Sequence, residues 1–127
     1  MIEFTCDDTF FERRKSTLES LFQKINLLDL VTDITEYKNF VVSEVNDHVL
    51  RIAVIDGEFH WHEHDTDELF MVLEGELIID LENDKSFKLL PGEIFNVPAH
   101  TQHRTRSNGR TVNLCFEKKD NDINGIS

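Results

Sequence analysis

The chain has 127 residues, 39% of them hydrophobic, and a formal charge of −12. That length suits one domain, able to bury roughly two thirds of its unfolded surface without disulfide staples. The acidity leaves no basic stripe, which argues against a nucleic-acid partner and reads as solubility, while the N-terminus lacks a signal-peptide pattern and no apolar run approaches about 18 residues, which argues against export and a membrane span.

In chain order, the first segment reads as a helix. Asp8 or Thr9 can cap it, and Phe10, Phe11, Leu18, Leu21, Phe22 and Ile25 recur at helical spacing. Residues 26–39 carry Leu27, Leu28, Leu30 and Val31, apolar enough to be anchored on the body of the protein. From about residue 40 the pattern changes to short strands rich in Val, Ile, Phe and Thr: FVVSEV, HVLRIAVI, FHWHEH, ELFMVLEG, ELIIDLEN, SFKLL, EIFNVP, HRTR and TVNLCFE. Asn46-Asp47, Asp56-Gly57, Gly75, Asn83-Asp84, Pro91-Gly92 and Asn108-Gly109 punctuate them as turns. Roughly nine strands with no helix between them predict an all-β closed barrel or sandwich. The last stretch, KKDNDINGIS, is polar and expected to be loose at its end. Cys6 and Cys115 form no CxxC pair, so a reducing cytoplasm is the expected compartment, and Cys115 in VNLCF reads as a small buried hydrophobe.

Five of the six histidines fall in two windows, His60, His62 and His64 in one, His100 and His103 in the other. If FHWHEH is a strand, its period of two puts His60, His62 and His64 on one face. Glu68 opens the next strand and can project from the same wall, because side chains opposite one another on paired strands lie about 5 Å apart. A third imidazole from a later strand would complete a four-ligand site with positions left for water or substrate. That mixed N/O set suits Fe, Mn, Ni, Co or Zn better than Mg or Ca. Histidines on strands are more often surface or core residues than ligands, and on spacing alone both readings stay open.

Two motifs narrow the choice. Gly57-(x)4-His62-x-His64-(x)3-Glu68-(x)6-Gly75 resembles the first motif of the cupin superfamily, one residue short between Gly57 and the first histidine. Gly92-(x)5-Pro98-x-His100-(x)2-His103-(x)3-Ser107 resembles the second, with His100 where Gly is usual and Ser107 where Asn is usual. The resemblance spans about residues 40–117 and narrows to the small single-domain bacterial cupins, loosely called mannose-6-phosphate isomerase-like. It implies a double-stranded β-helix (jelly-roll) barrel over 40–117, a helical segment over 1–39 packed on it, and a polar tail over 118–127. It also implies that His62, His64, Glu68 and His103 hold one divalent transition metal, and that two copies pair as a homodimer.

Such a fold does not fix an activity. The first expectation is a metal-dependent enzyme acting on a small organic molecule, of dioxygenase, isomerase or lyase type; the alternative is a non-catalytic, metal-dependent binding or sensor protein. His60, on the expected ligand face, and His100, near the barrel mouth, are the candidate catalytic or supporting groups. Arg51 or Arg104, if turned inward, could clamp an anion. Phe59, Phe70, Val72, Phe95, Val97 and Phe116 predict a mainly apolar cup, which leans toward a weakly polar or aromatic ligand.

Overall fold

The computed structural model describes residues 23–121 and Gly125. The expected N-terminal helix lies outside them except for residues 23–25, which are not helical. The helix that is described is short: α1 (Leu27–Val31), capped by Asn26, whose side chain accepts from the Asp29 amide at 3.0 Å. Val31 and Ile34 are buried against Phe40, Val42, Ile52, Val54, Val112 and Leu114. Arg110 fastens the segment from below, donating from Nη2 to the Val31 carbonyl at 2.7 Å and from Nε to the Ile34 carbonyl at 2.9 Å. A helix end leaves carbonyls without intrahelical donors, and this guanidinium supplies them.

Seven strands follow among the described residues: β1 (Lys38–Val45), β2 (His48–Glu58), β3 (Glu68–Glu74), β4 (Leu77–Leu81), β5 (Lys85–Leu89), β6 (Ile94–Val97) and β7 (His103–Lys118). All pairings are antiparallel. The main path runs β1-β2-β7-β3-β6, and β4 pairs with both β5 and β7. The architecture is the all-β jelly-roll barrel expected.

The strand count differs from nine for two reasons. Residues 59–64 make no regular strand and meet the sheet only through the isolated bridge of His62 with His103 and a few backbone hydrogen bonds. HRTR and TVNLCFE are one strand, β7, with no turn at Asn108-Gly109. Between the pairs Ile55–Thr111 and Gly57–Ser107, three residues of β7 oppose one of β2. The excess is taken up as a bulge in which Gly109 sits at φ +141° and Ser107 Oγ donates to the Gly109 carbonyl at 3.1 Å. Asp56-Gly57 on the facing strand is absorbed in the same way. By contrast, Asn83 and Asp84, at φ +66° and +60°, do turn a hairpin, in the three-residue loop between the paired Leu81 and Lys85.

Strand parity divides the core in two. Ile52, Val54, Val112 and Leu114 face the α1 segment, whereas Ala53, Ile55, Phe70, Val72, Leu77, Ile79, Leu89 and Val97 fill the barrel. On the outer side of β4, buried Asp80 accepts from Arg106 Nε at 2.7 Å and Arg104 Nε at 2.8 Å, and from the Ser86 hydroxyl. Arg104 is therefore committed to Asp80 and Glu58, with its guanidinium 5.3 Å over Trp61, and does not clamp anything inside the barrel.

Two substitutions test these constraints. At Gly75 (φ +85°) an added Cβ would lie 2.7 Å from the Arg110 carbonyl oxygen, whereas at Gly92 (φ +89°) it would meet nothing within 4 Å. Gly92→Ala should therefore cost only the left-handed backbone penalty of about 1–2 kcal/mol, and Gly75→Ala clearly more, in urea denaturation. The hydrogen bond from Arg106 holds the Asp80 carboxyl well below the usual carboxylate range, against burial and with help from Ser86 and Arg104. A carboxyl with a depressed folded-state pKa contributes stability that is complete above its unfolded value of about 3.9 and is lost as pH falls through the folded value. Asp80→Asn should lose about 1–3 kcal/mol at neutral pH, and its deficit relative to wild type should shrink as the pH is lowered from about 5 toward 2.

Candidate metal centre

The segment between β2 and β3 is stitched to the start of β7 by its backbone. The Phe59 amide donates to the Thr105 carbonyl at 2.9 Å, His62 and His103 exchange both amide–carbonyl bonds at 2.9 Å, and the His100 amide donates to the His64 carbonyl at 2.8 Å. Buried Phe59 packs edge-on against the His62 ring, with centroids 4.8 Å apart. These ties bring the two histidine windows together, and Glu68 enters from the first residue of β3. The outcome is a buried group in which ligand-type atoms of His62, His64, Glu68 and His103 all lie within 4.8 Å of one another.

The imidazoles are oriented from behind. His62 Nδ1 lies 3.0 Å from the His60 carbonyl and His103 Nδ1 lies 2.8 Å from the Thr101 carbonyl. A carbonyl only accepts, so in both rings Nδ1 carries the proton, and in the neutral ring Nε2 keeps its lone pair, the arrangement of a metal-bound histidine. Glu68 Oε1 lies 3.2 Å from Nε2 of both His64 and His103. A lone pair facing a carboxylate oxygen at that distance is repulsive unless a proton or cation lies between them. Donors about 2.1 Å from an ion and at right angles sit about 3 Å apart, so the set could hold a metal ion. Burial disfavours ionisation of Glu68, but a proton held between its Oε1 and the Nε2 of His103 or His64 outweighs burial and keeps the carboxyl well below its usual range. Burial, with the charge of His103, pushes His62 down to about 4, favouring the neutral ring.

The other oxygen of Glu68 has its own partner. Oε2 accepts from the Cys115 thiol at 3.2 Å. Glu68, Cys115 and Glu117 form a second close group of ligand-type atoms, but burial and the two carboxylates push the thiol pKa well up, so Cys115 is a donor and not a thiolate. Glu117 accepts from Arg51 Nε at 3.1 Å and from Asn121 Nδ2 at 3.1 Å. Burial, with repulsion from Glu68, raises its pKa. Arg51 does point inward, as one of the two possibilities required, but toward a carboxylate of the protein itself.

The apolar cup expected from the phenylalanines forms only in part: Phe70, Val72 and Val97 pack in the barrel, but polar side chains share the cavity wall. Of the six residues named, only Phe70 lines the inner cavity; the rest of its wall includes Asn39, Arg51, Thr105, Asn113 and Glu117. Phe95 stacks on Phe87, and Phe116 stacks on His48 outside the barrel. The reason is that the apolar face of the β7 stretch 111–117 is spent on the α1 side through Val112 and Leu114, which leaves Asn113, Cys115 and Glu117 inside. That alternation was visible in TVNLCFE, had the polar parity been assigned to the interior.

His60 and His100 are not among the converging donors. His60 contributes its carbonyl to His62, and its ring lies 5.2 Å from the His62 ring. His100 is an exposed turn residue at φ +62°, and so adopts the left-handed backbone that glycine usually takes there. Its Nδ1 lies 3.7 Å from Glu63 Oε2. The C-terminal stretch is not wholly loose: Thr66 Oγ1 donates to Asn121 Oδ1 at 2.8 Å, and Gly125 is so close that a Cβ there would lie 2.5 Å from His62 Cδ2. An outer cleft of about 280 Å³ lies on this side, lined by His64, Glu63, Asp65, Lys118 and Asp120 among others.

An all-β cup with three buried imidazoles and a carboxylate at one end defines a class of barrel proteins with a donor set that could hold a metal ion. Residues 49–116 match the cupin domain model Cupin_2, and the chain belongs to the cupin family. It is 51% identical over 96 residues to the uncharacterized protein YdbB of Bacillus subtilis, covering 74% of this chain and 85% of that one. A cupin-2 domain protein from Shewanella frigidimarina superposes with a TM-score of 0.70 at 31% identity, over 75% of this chain and 94% of the other. A Sphingomonas hydroquinone 1,2-dioxygenase shares the fold, with a TM-score of 0.68 at 21% identity over 76% of this chain and 32% of the enzyme.

The Cys115 contact generates a stability prediction. Cys115→Val is close in volume but leaves Glu68 Oε2 without that donor, and should cost about 1–3 kcal/mol in chemical denaturation. Cys115→Ser retains a donor and should cost less; equal losses would show that the contact carries no weight.

Proposed function

We propose that His62, His64, Glu68 and His103 hold one divalent transition metal, of the Fe, Mn, Ni, Co or Zn group, and that the protein is a metal-dependent enzyme acting on a small organic molecule. The observation that carries this reading is the buried Glu68 oxygen shared by two imidazole Nε2 atoms at 3.2 Å, one of them on a ring whose other nitrogen is committed to a carbonyl. When bound, such an ion acts as a Lewis acid toward a ligand oxygen or lowers the pKa of a bound water. The chain's own residues orient that centre. The His60 and Thr101 carbonyls fix two imidazoles, Cys115 holds the outer oxygen of Glu68, and the barrel wall limits access of water.

A non-catalytic binding or sensor role is the second reading, supported by the placement of His60 and His100 outside the converging donors. The similarity to a dioxygenase supports the fold and does not choose the reaction. We further propose a homodimer in the cytoplasm. Exposed Phe87, Leu90 and Ile94 on and beside β5 and β6 support pairing, and the buried free thiol of Cys115 supports a reducing compartment. No helix among the described residues is long and apolar enough to cross a membrane.

Protein purified without an affinity metal column should contain close to one equivalent of a transition metal by elemental analysis, and a His62→Ala/His64→Ala variant should contain almost none. Chelation should lower thermal stability, by about 2.7 kcal/mol if the free metal had stood at a hundred times its Kd. Wild-type protein that arrives metal-free and refuses added metal would overturn the ligand assignment.

A further inference from the structure

The inner cavity carries unmet hydrogen-bonding capacity. Asn39 Oδ1, Thr105 Oγ1 and Asn113 Oδ1 are buried without a hydrogen-bond partner, in side chains that are at most 6% exposed. All three residues line the cavity that Glu68 also borders. Their convergence follows from register. Asn39 pairs with Ala53 on β2, and Ala53 pairs with Asn113 on β7, so two amides flank one methyl group on a single rung of the sheet. The small side chain at position 53 leaves space between them. Thr105 enters from the other half of β7, beyond the bulge.

We infer that this cavity receives the hydroxyl end of a small hydroxylated ligand, with Asn39, Thr105 and Asn113 as its hydrogen-bond partners, beside the metal ion of the proposed function, on which this assignment rests. Buried polar groups without partners cost desolvation that nothing repays, and a ligand bringing a donor repays it. A hydroxyl suits the site because it both donates and accepts, and so meets an amide in either orientation and the threonine hydroxyl as well. The neighbouring Arg51–Glu117 pair does not compete for this role, since Glu117 already accepts from Arg51 and Asn121. Size points the same way. The cavity is about 20 Å³, room for a water-sized group, while a cavity that admits benzene measures about 150 Å³. An aromatic ligand would have to stay in the outer cleft.

The test compares glycolate with propionate, two acids of equal heavy-atom count that differ by hydroxyl against methyl. Each is titrated calorimetrically into metal-reconstituted protein, with metal content and melting temperature recorded for every variant. Glycolate should bind about tenfold more tightly or better. That preference should fall to about two- to threefold in Asn113→Leu and in Thr105→Val, which remove polar partners at nearly constant volume. Thr105→Val alone decides the matter if Asn113→Leu does not fold. Equal or tighter binding of propionate, no binding of either acid with metal in place, or an unchanged preference in the variants would overturn the inference while leaving the metal centre standing. If the protein takes up no metal, the proposed function fails instead, and the same ratio measured on the metal-free protein decides the cavity assignment.

Discussion

β7 has to serve three neighbours with one backbone. Its 16 residues pair with β4 through the first half, with β3 through the second, and with β2 through both. A straight strand cannot lie in both walls of a barrel, and the bulge over Asn108–Arg110 supplies the bend. That bend carries His103 to the mouth and leaves Cys115 and Glu117 at the inner wall. The same irregular stretch places Arg110, which fastens the α1 segment, so the outer layer and the candidate centre depend on one local device. Gly109 is required there because its φ of +141° is a conformation that side-chain-bearing residues rarely adopt.

The price of this arrangement is electrostatic. Glu68 and Glu117 are in register on β3 and β7, both buried and both carboxylates. Like charges directly opposite one another destabilise a sheet, more so away from water. The chain answers each separately. Arg51 and Asn121 compensate Glu117, the thiol of Cys115 lies against Glu68, and the Nε2 atoms of His64 and His103 lie 3.2 Å from the near oxygen of Glu68. A divalent cation at that end would compensate the remaining charge more fully than neutral rings can. This is why the buried donors read more naturally as a metal centre than as a structural polar cluster.

The sequence made different parts of this legible to different degrees. Hairpin turns at Asn46-Asp47 and Asn83-Asp84 follow from residues that tolerate left-handed backbone, and the period-two runs marked most strands. Asn108-Gly109 carried the same turn signal and became a bulge, because whether a glycine turns a chain or bends it depends on the strand across from it, which local sequence does not contain. The histidine window 59–64 had strand periodicity, yet its backbone is held to β7 by only a few bonds; His62 and His64 still converge, while His60 does not. The four-donor group was readable only through the resemblance of its two motifs to the cupins, since spacing alone left the histidines open. The polar cavity wall was not, because polar residues at alternate strand positions ordinarily face solvent, and only the apolar cover over Val112 and Leu114 turns that face inward.

X-ray absorption at the edge of the metal taken up by the intact protein tests the central claim most directly. The account predicts an all-nitrogen and oxygen shell, with the outer-shell scattering of three imidazoles and no sulfur. A sulfur scatterer would place the ion at Glu68, Cys115 and Glu117 instead. A shell with no imidazole signature would contradict the assignment of His62, His64 and His103 altogether.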